Sequence, residues 1–384
     1  MKRRRNTVSS NWIEIDRTIL VENIQKIKAA YGDGQRVGAM IKANAYGHGM
    51  LEVAQCTYQE VDAFYVSDAE DAIRLFDYFY ENNIRKRIIC VGAIGENEYC
   101  KLVRKGIEFA IVDQSFKRWD KIIEGKVGQV HIFIDTGLGR EGIRWDAYSA
   151  IDEVLKFGFN IVGLMTHFNN AEHAGPPEYA VNQFKRYCTT LQYIKNKGFS
   201  VECHTAASVP SMLYPEARCD LTRLGIMMYG YWTSIESKIV STYMYRDKFP
   251  DVKPALSWKA RTASVKIIPA NDYIGYDSAY FCQKDTKIAT INVGYYDGYP
   301  CLFDTNAWVL VNGKRCPIVG NVMMNSMVID ISDVEISDED EISVILIGKS
   351  GKEEITVDDL ARWAGITNYD ILAAIKSHVK RIIV

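Results

Sequence analysis

The chain has 384 residues, 48% of them hydrophobic and 24% charged, with a formal net charge of -2 at pH 7. This is ordinary globular composition with room for two domains. The near-neutral charge excludes the basic footprint of a nucleic-acid binder, and no apolar run is long enough to span a bilayer.

At the N-terminus, Lys2-Arg3-Arg4-Arg5 is followed by polar Asn6-Thr7-Val8-Ser9-Ser10. No apolar core follows, so the run is not a secretory signal and reads as a disordered tip. Trp12-Ile13-Glu14-Ile15 alternates like a strand. Eight short apolar runs then alternate with longer amphipathic stretches: Val37–Ile41, Ala63–Val66, Ile88–Val91, Phe109–Val112, Val130–Ile134, Ile161–Met165, Val201–His204 and Leu221–Leu224. The intervening Asp68–Phe76 reads as a helix, with Ser67 and Glu70 as a capping box. Eight strands alternating with helices predict an α/β fold, a closed (β/α)8 barrel over 1–248. An open doubly wound sheet is the alternative, but no G-x-G-x-x-G follows the first run.

Past Asp247 the pattern changes. Pro250 and Pro254 mark a boundary, and short runs rich in β-branched and aromatic residues follow, including Thr262–Ile268, Lys287–Val293, Trp308–Val311 and Ile342–Ile347. Asn312-Gly313 is a hairpin signal. Residues 249–384 therefore read as a mostly β domain with one helix near Val357–Trp363, which the strand near 11–16 joins. Nine cysteines lie scattered without a C-x-x-C pair, which argues against a zinc site or a disulfide scaffold and predicts a reducing cytoplasm.

In a β/α barrel, functional groups gather at the C-terminal ends of the strands. The first such end carries Lys42-Ala43-Asn44-Ala45-Tyr46-Gly47-His48-Gly49. A lysine there is desolvated, its pKa falls, and the neutral amine can bind a carbonyl cofactor or act as a base. Later ends carry Asp135-Thr136-Gly137-Leu138-Gly139-Arg140, then Thr166 and His167, then His204 and Ser208, then Arg223, Gly225 and Ile226. The last two loops are where barrels hold phosphate. Taken singly, His167 suits a core histidine, Arg140 a surface ion pair, Arg223 a strand-end staple and Ser208 a helix cap. Convergence at one mouth with Lys42 favours a site.

The Lys42–Gly49 string resembles the pyridoxal-phosphate signature of alanine racemases at every position. Asp135–Arg140, Gly163-Leu164-Met165-Thr166-His167-Phe168, Gly275-Tyr276-Asp277-Ser278-Ala279-Tyr280, Gly294–Pro300 and Cys316–Gly320 resemble further blocks of that family, so the likeness spans nearly the whole chain. It implies a pyridoxal 5'-phosphate enzyme that racemises an amino acid, most simply alanine, working as a homodimer with shared active sites. Lys42 would hold the cofactor as a Schiff base and serve as one catalytic base; Tyr276 of the partner subunit would be the other. Tyr46, His167, Ser208, Arg223, Gly225 and Ile226 would surround the cofactor, with Arg223 at its pyridine nitrogen. Arg140 and the Met324 amide would hold the substrate carboxylate. No metal, membrane or nucleic acid is implied.

The chain departs from the family at several positions. Phe133 stands where many members carry a carbamate-forming lysine, so Arg140 must be oriented otherwise. Cys301 and Asn321 replace arginines, Asn325 replaces an aspartate, and Ile383 aligns with a tyrosine near the cofactor phosphate. These changes leave alanine as the leading substrate, with serine or a larger amino acid as the alternative. A decarboxylase of the same fold, using Cys282 or Cys301, and a non-catalytic cofactor carrier are the remaining rivals.

Overall fold

A computed structural model describes residues 10–121, 123–171, 178–302, 307–335 and 342–384. The basic run Lys2–Arg5 lies outside them. Packing divides the chain into two units: Thr18–Ala45 with Val53–Pro254, and Met1–Arg17 with Tyr46–Glu52 and Ala255–Val384.

The first unit is a near-closed barrel of eight parallel strands: Arg36–Met40, Ala63–Val66, Arg87–Cys90, Glu108–Ile111, Gln129–Asp135, Asn160–Met165, Glu202–His204 and Leu221–Leu224. Each pairs with the next in this order, and Leu221–Leu224 returns to Arg36–Met40. A bridge between Ala207 and Arg223 closes the remaining seam. All eight apolar runs are therefore strands, shifted by no more than a residue at their ends. They are buried on both faces, which is why they read as continuous apolar runs rather than alternating ones.

The helix after the second barrel strand spans Ala69–Glu81 and buries Ala69, Ala72, Leu75 and Phe79 along one stripe. Its N-cap is Asp68, not the expected Ser67: Asp68 has the extended backbone of a cap, and its carboxylate accepts from the Asp71 amide.

The second unit is mostly β. Leu256–Ile268 is its long central strand, pairing with Ser343–Ser350 and with Thr286–Ile291. Asn11–Ile15 joins this sheet, antiparallel to Leu256–Ala260 and parallel to Lys380–Ile383. Trp308–Val311 and Lys314–Pro317 form a hairpin, with Asn312 and Gly313 both at positive φ, as its two-residue turn demands. Trp258 packs edge-on against Tyr299 in the core. Two helices occur where one was expected. Val357–Ala364 is followed by Asn368–Ala374, each started by a threonine–aspartate capping box.

Candidate active site

Lys42 follows the C-terminal end of the first barrel strand. The chain then makes an uncommon turn: Ala43, Asn44, Ala45 and Tyr46 all have φ between 51° and 54°. A left-handed turn costs L-residues about 1–2 kcal/mol each, so its neighbours must hold it. The Ala45 amide donates to the Ile41 carbonyl at 2.9 Å. Gly47 continues at φ +77°, and a Cβ there would overlap the Leu372 carbonyl. Arg381 donates to the Gly47 carbonyl from Nη2 at 2.8 Å and Nε at 3.2 Å. The glycines of the signature are thus required by conformation and by close approach.

Burial lowers the Lys42 amine below its ordinary value, and the cations of Arg140 and Arg223 lower it further. A neutral lysine amine is a nucleophile and a base. His167 is pushed down to about 3 by burial and by Arg223, Arg140 and Lys42, so its imidazole is neutral at working pH.

Arg223 is 3% exposed. Its Nη1 donates to the His204 carbonyl and lies 3.2 Å from His204 Nδ1. Its Nη2 donates to the carbonyls of Thr166 at 2.7 Å and Thr205 at 2.8 Å, and lies 3.5 Å from His167 Nδ1. The guanidinium therefore staples three strand ends at the barrel seam. All these partners are neutral, and none of them takes Nε. A buried cation with an uncommitted N–H suits an electron-rich acceptor such as a ring nitrogen.

Ser208 and Gly225 come together: the Gly225 amide donates to Ser208 Oγ at 2.6 Å, and Ile226 begins the short turn that follows. The Gly225 amide thus fixes the Ser208 oxygen and leaves the hydroxyl proton of Ser208 as a donor that can hold an anion. The Asp135–Arg140 loop is folded by Asp135, whose Oδ1 accepts from the amides of Gly137 at 2.9 Å and Gly139 at 3.1 Å. Arg140 is mostly exposed and lies 3.5 Å from the Glu141 carboxylate. Phe133 is buried with Ala110 and Met165 and offers Arg140 no polar partner.

Tyr276, Met324 and Tyr46 belong to the other unit. Tyr276 opens a tight turn after Gly275, whose φ is +85°, and is 70% exposed. Its carbonyl accepts from Asn321 Nδ2 at 3.5 Å. Met324 is also exposed, and its carbonyl accepts from the Tyr296 amide at 2.9 Å. The Tyr46 ring packs near Tyr369, with centroids 6.0 Å apart. Asp297, within the Gly294–Pro300 block, caps its own turn and lies 3.1 Å from His378 Nε2. Ile383 pairs with Ile15 in the last strand. Among the described residues, no cluster of three His, Cys, Asp or Glu side chains could hold a metal.

Sequence reasoning missed Glu108, His131, Arg87 and Glu202, a polar chain whose inner members, Glu108 and His131, are buried and whose outer members, Arg87 and Glu202, are half-buried. The available signal was His131 itself, a lone polar residue within the run Val130–Ile134.

The model of the alanine racemase N-terminal domain matches residues 15–232, and that of the C-terminal domain matches 255–383. An alanine racemase of Leptospira interrogans is 31% identical, over 98% of this chain and 96% of its own. One from Carboxydothermus hydrogenoformans is 33% identical, over 97% and 99%. The solved alanine racemase of Clostridium difficile 630 superposes with a TM-score of 0.88 at 26% identity, over 99% of this chain and 97% of its own.

Proposed function

Since the chain belongs to the alanine racemase family, we propose that it is a pyridoxal-phosphate-dependent racemase interconverting L- and D-alanine. The observation that carries this reading is the placement of a desolvated lysine amine at the strand end, within the electrostatic reach of a buried arginine whose hydrogen bonds, among the described residues, run from Nη1 and Nη2 and leave Nε. The donors suit the cofactor: Lys42 for its aldehyde, Arg223 Nε for its ring nitrogen, and the Ser208 hydroxyl, set by the Gly225 amide, with the Ile226 amide for its phosphate; His167 of the same unit and Tyr46 complete the cofactor set by the family resemblance. When bound, pyridoxal phosphate supplies the electron sink that makes the α-proton of an amino acid acidic.

Racemisation needs a base on each face of the substrate carbon. Lys42 Nζ takes or returns the proton on one face, and the hydroxyl of the partner subunit's Tyr276 does so on the other. Arg140 and the Met324 amide hold the substrate carboxylate. Arg223 cannot give up a proton, so it keeps the ring nitrogen unprotonated and limits the sink, which favours reprotonation over transamination. A homodimer is what the family resemblance implies, and Tyr276, Tyr296 and Met324 of the β unit are exposed and so open to a second copy. All nine thiols are free, in keeping with a reducing cytoplasm. Among the described residues, no helix is long and apolar enough to cross a membrane.

Two observations bear on the rivals. Cys282 is fully buried in an apolar cluster with Ile274, Ile288, Val319 and Val328, which does not suit the catalytic thiol of a decarboxylase. The presence of the β unit argues against a barrel-only cofactor carrier. A wider substrate range rests on Ile383, Asn321 and Cys301: a lost phenol leaves room, and two lost cations remove repulsion of a positively charged side chain.

Incubating the purified protein with pyridoxal phosphate and each L-amino acid in turn, then resolving enantiomers on a chiral column, tests the reading. L-alanine should run to an equal mixture. Retention of pure L-alanine alongside racemisation of another amino acid would replace alanine as the substrate, and retention of every L-form would refute the racemase assignment.

A further inference from the structure

Behind Arg223, a continuous chain of hydrogen bonds runs down the inside of the barrel. His204 Nε2 lies 2.8 Å from His131 Nδ1, and His131 Nε2 lies 2.8 Å from Glu108 Oε2. Arg87 grips Glu108 with two bonds of 2.7 and 2.8 Å and also bonds Glu202 at 2.9 and 3.1 Å. Arg36 closes on Glu202 at 2.7 Å. Both imidazoles are fully buried. Chemistry at the strand ends that carry Lys42 uses none of these groups directly, because Arg87, Glu108 and Glu202 open their strands at the opposite end.

The proton positions along the chain are dictated from both ends. Arg223 can only donate, so His204 Nδ1 must present a lone pair to it. His204 then carries its proton on Nε2 and donates to His131 Nδ1. His131 in turn carries its proton on Nε2 and donates to the Glu108 carboxylate. Every donor meets an acceptor, and both rings are neutral. Burial alone would raise Glu108, but hydrogen bonds from Arg87 and His131 outweigh it and hold the carboxyl at about 2. Burial also pushes His204 well below its ordinary value, with His131 and the Arg223 and Arg87 cations adding to that. The other group facing His204 is the Tyr65 hydroxyl, 3.4 Å from Nδ1 and also able to donate there.

The strand between the two histidine strands makes room for the pair. His131 and His204 sit on the fifth and seventh barrel strands, and the sixth lies between them. A Cβ at Gly163, on that sixth strand, would overlap the His131 ring. Gly38 similarly leaves space for the Tyr65 ring. The glycine that begins Gly163–Phe168 is therefore spatially tied to the relay.

We propose that His131 is a positioning residue for the reaction: backed by Glu108, it fixes the tautomer of His204 that accepts from Arg223, and so holds the guanidinium as an oriented cation with Nε free. The inference rests on the reading that Arg223 serves the cofactor ring nitrogen. It assigns a task to three side chains, Glu108, His131 and Arg87, and to the glycine at 163, all away from the reacting atoms.

The chain has six histidines, so nitrogen-15 imidazole spectra of the loaded enzyme can be assigned by single substitutions. In the loaded enzyme His131 and His204 should each show the Nε2–H tautomer that the hydrogen-bond chain requires. An Nδ1–H tautomer or an imidazolium at either ring overturns the relay. The functional arm compares Glu108→Gln, Gly163→Ala and Arg223→Gln. It counts racemisation turnovers per event of transamination, which converts the amino acid to its oxo acid and the cofactor aldehyde to an amine. Breaking the relay should raise transamination per turnover by about tenfold or more, the scale on which losing the hydrogen-bonded partner of a metal-ligating histidine acts, and shift the visible band of the bound cofactor. A merely structural role would lower the melting temperature and leave both readouts unmoved. If Glu108→Gln does not fold, Gly163→Ala carries the test. Should Arg223→Gln raise transamination while neither relay variant does, the relay fails and the Arg223 reading stands. Should Arg223→Gln also have no effect, the Arg223 assignment falls and the role of His131 with it.

Discussion

His167 and Glu108 make the barrel acid-sensitive in the same direction. His167 sits at about 3 in the folded chain against an ordinary 6.5, and Glu108 at about 2 against 4.5. For both, the unfolded chain binds more protons than the folded one between the two values. Stability is therefore fully present above the ordinary value and is lost as pH falls towards the folded value. The first loss opens just below pH 6.5 from His167 and His204 together, the second below 4.5 from Glu108. At about 1.4 kcal/mol per pH unit, each is worth a few kcal/mol when fully expressed. Urea unfolding of the cofactor-free protein at stepped pH should show wild type weakening already between about pH 6.5 and 5, while His167→Gln weakens less steeply there, its remaining slope coming from buried His204. Equal slopes in the two proteins would contradict the assignment of a buried neutral His167. A second residue-scale prediction concerns Ile383: if the lost phenol widens the pocket, Ile383→Tyr should raise alanine's share of kcat/KM over serine, by a factor within the roughly 10–200-fold that a small apolar pocket commands. An unchanged ratio would leave the pocket width to other residues.

At the scale of elements, the turn after Lys42 is the most demanding piece of backbone. Gly47→Ala would place a Cβ at φ +77° and against the Leu372 carbonyl. A loss of about 2 kcal/mol or more is expected by chemical denaturation, beyond the usual cost of a surface change. A loss under about 0.5 kcal/mol would mean that the turn relaxes freely. This element also shows where sequence reading stops. The barrel strands were legible because burial on both faces writes them as apolar runs, and the Asn312-Gly313 hairpin because its turn needs positive φ. The left-handed path of Ala43–Tyr46 was not: only Asn44 tolerates it intrinsically, and tertiary packing imposes the rest. The second helix of the β unit was missed although Thr367 and Asp370 cap it, since seven residues hold too few turns for periodicity to register. The Lys42, Arg223 and Ser208 positions could be read because strand ends of a barrel share one mouth. Glu108, His131 and His204 could not be joined in advance, because their separations of 23 and 73 residues carry no local signal.

For the whole molecule, the account requires two copies. Lys42 lies in one unit of the fold and Tyr276 in the other, and the proposed site takes them from different subunits. Lys42→Ala and Tyr276→Phe proteins, each inactive, should recover up to about a quarter of wild-type activity when mixed, because half of randomly exchanged dimers carry one native site of two. No recovery despite proven exchange would refute sharing. The central claim is that Lys42 is the residue that engages the cofactor, and borohydride reduction followed by peptide mapping tests it most directly. The account predicts a yellow protein whose cofactor, once reduced, stays fixed to a single peptide through Lys42. A label on any other lysine, or none retained after denaturation, would contradict it.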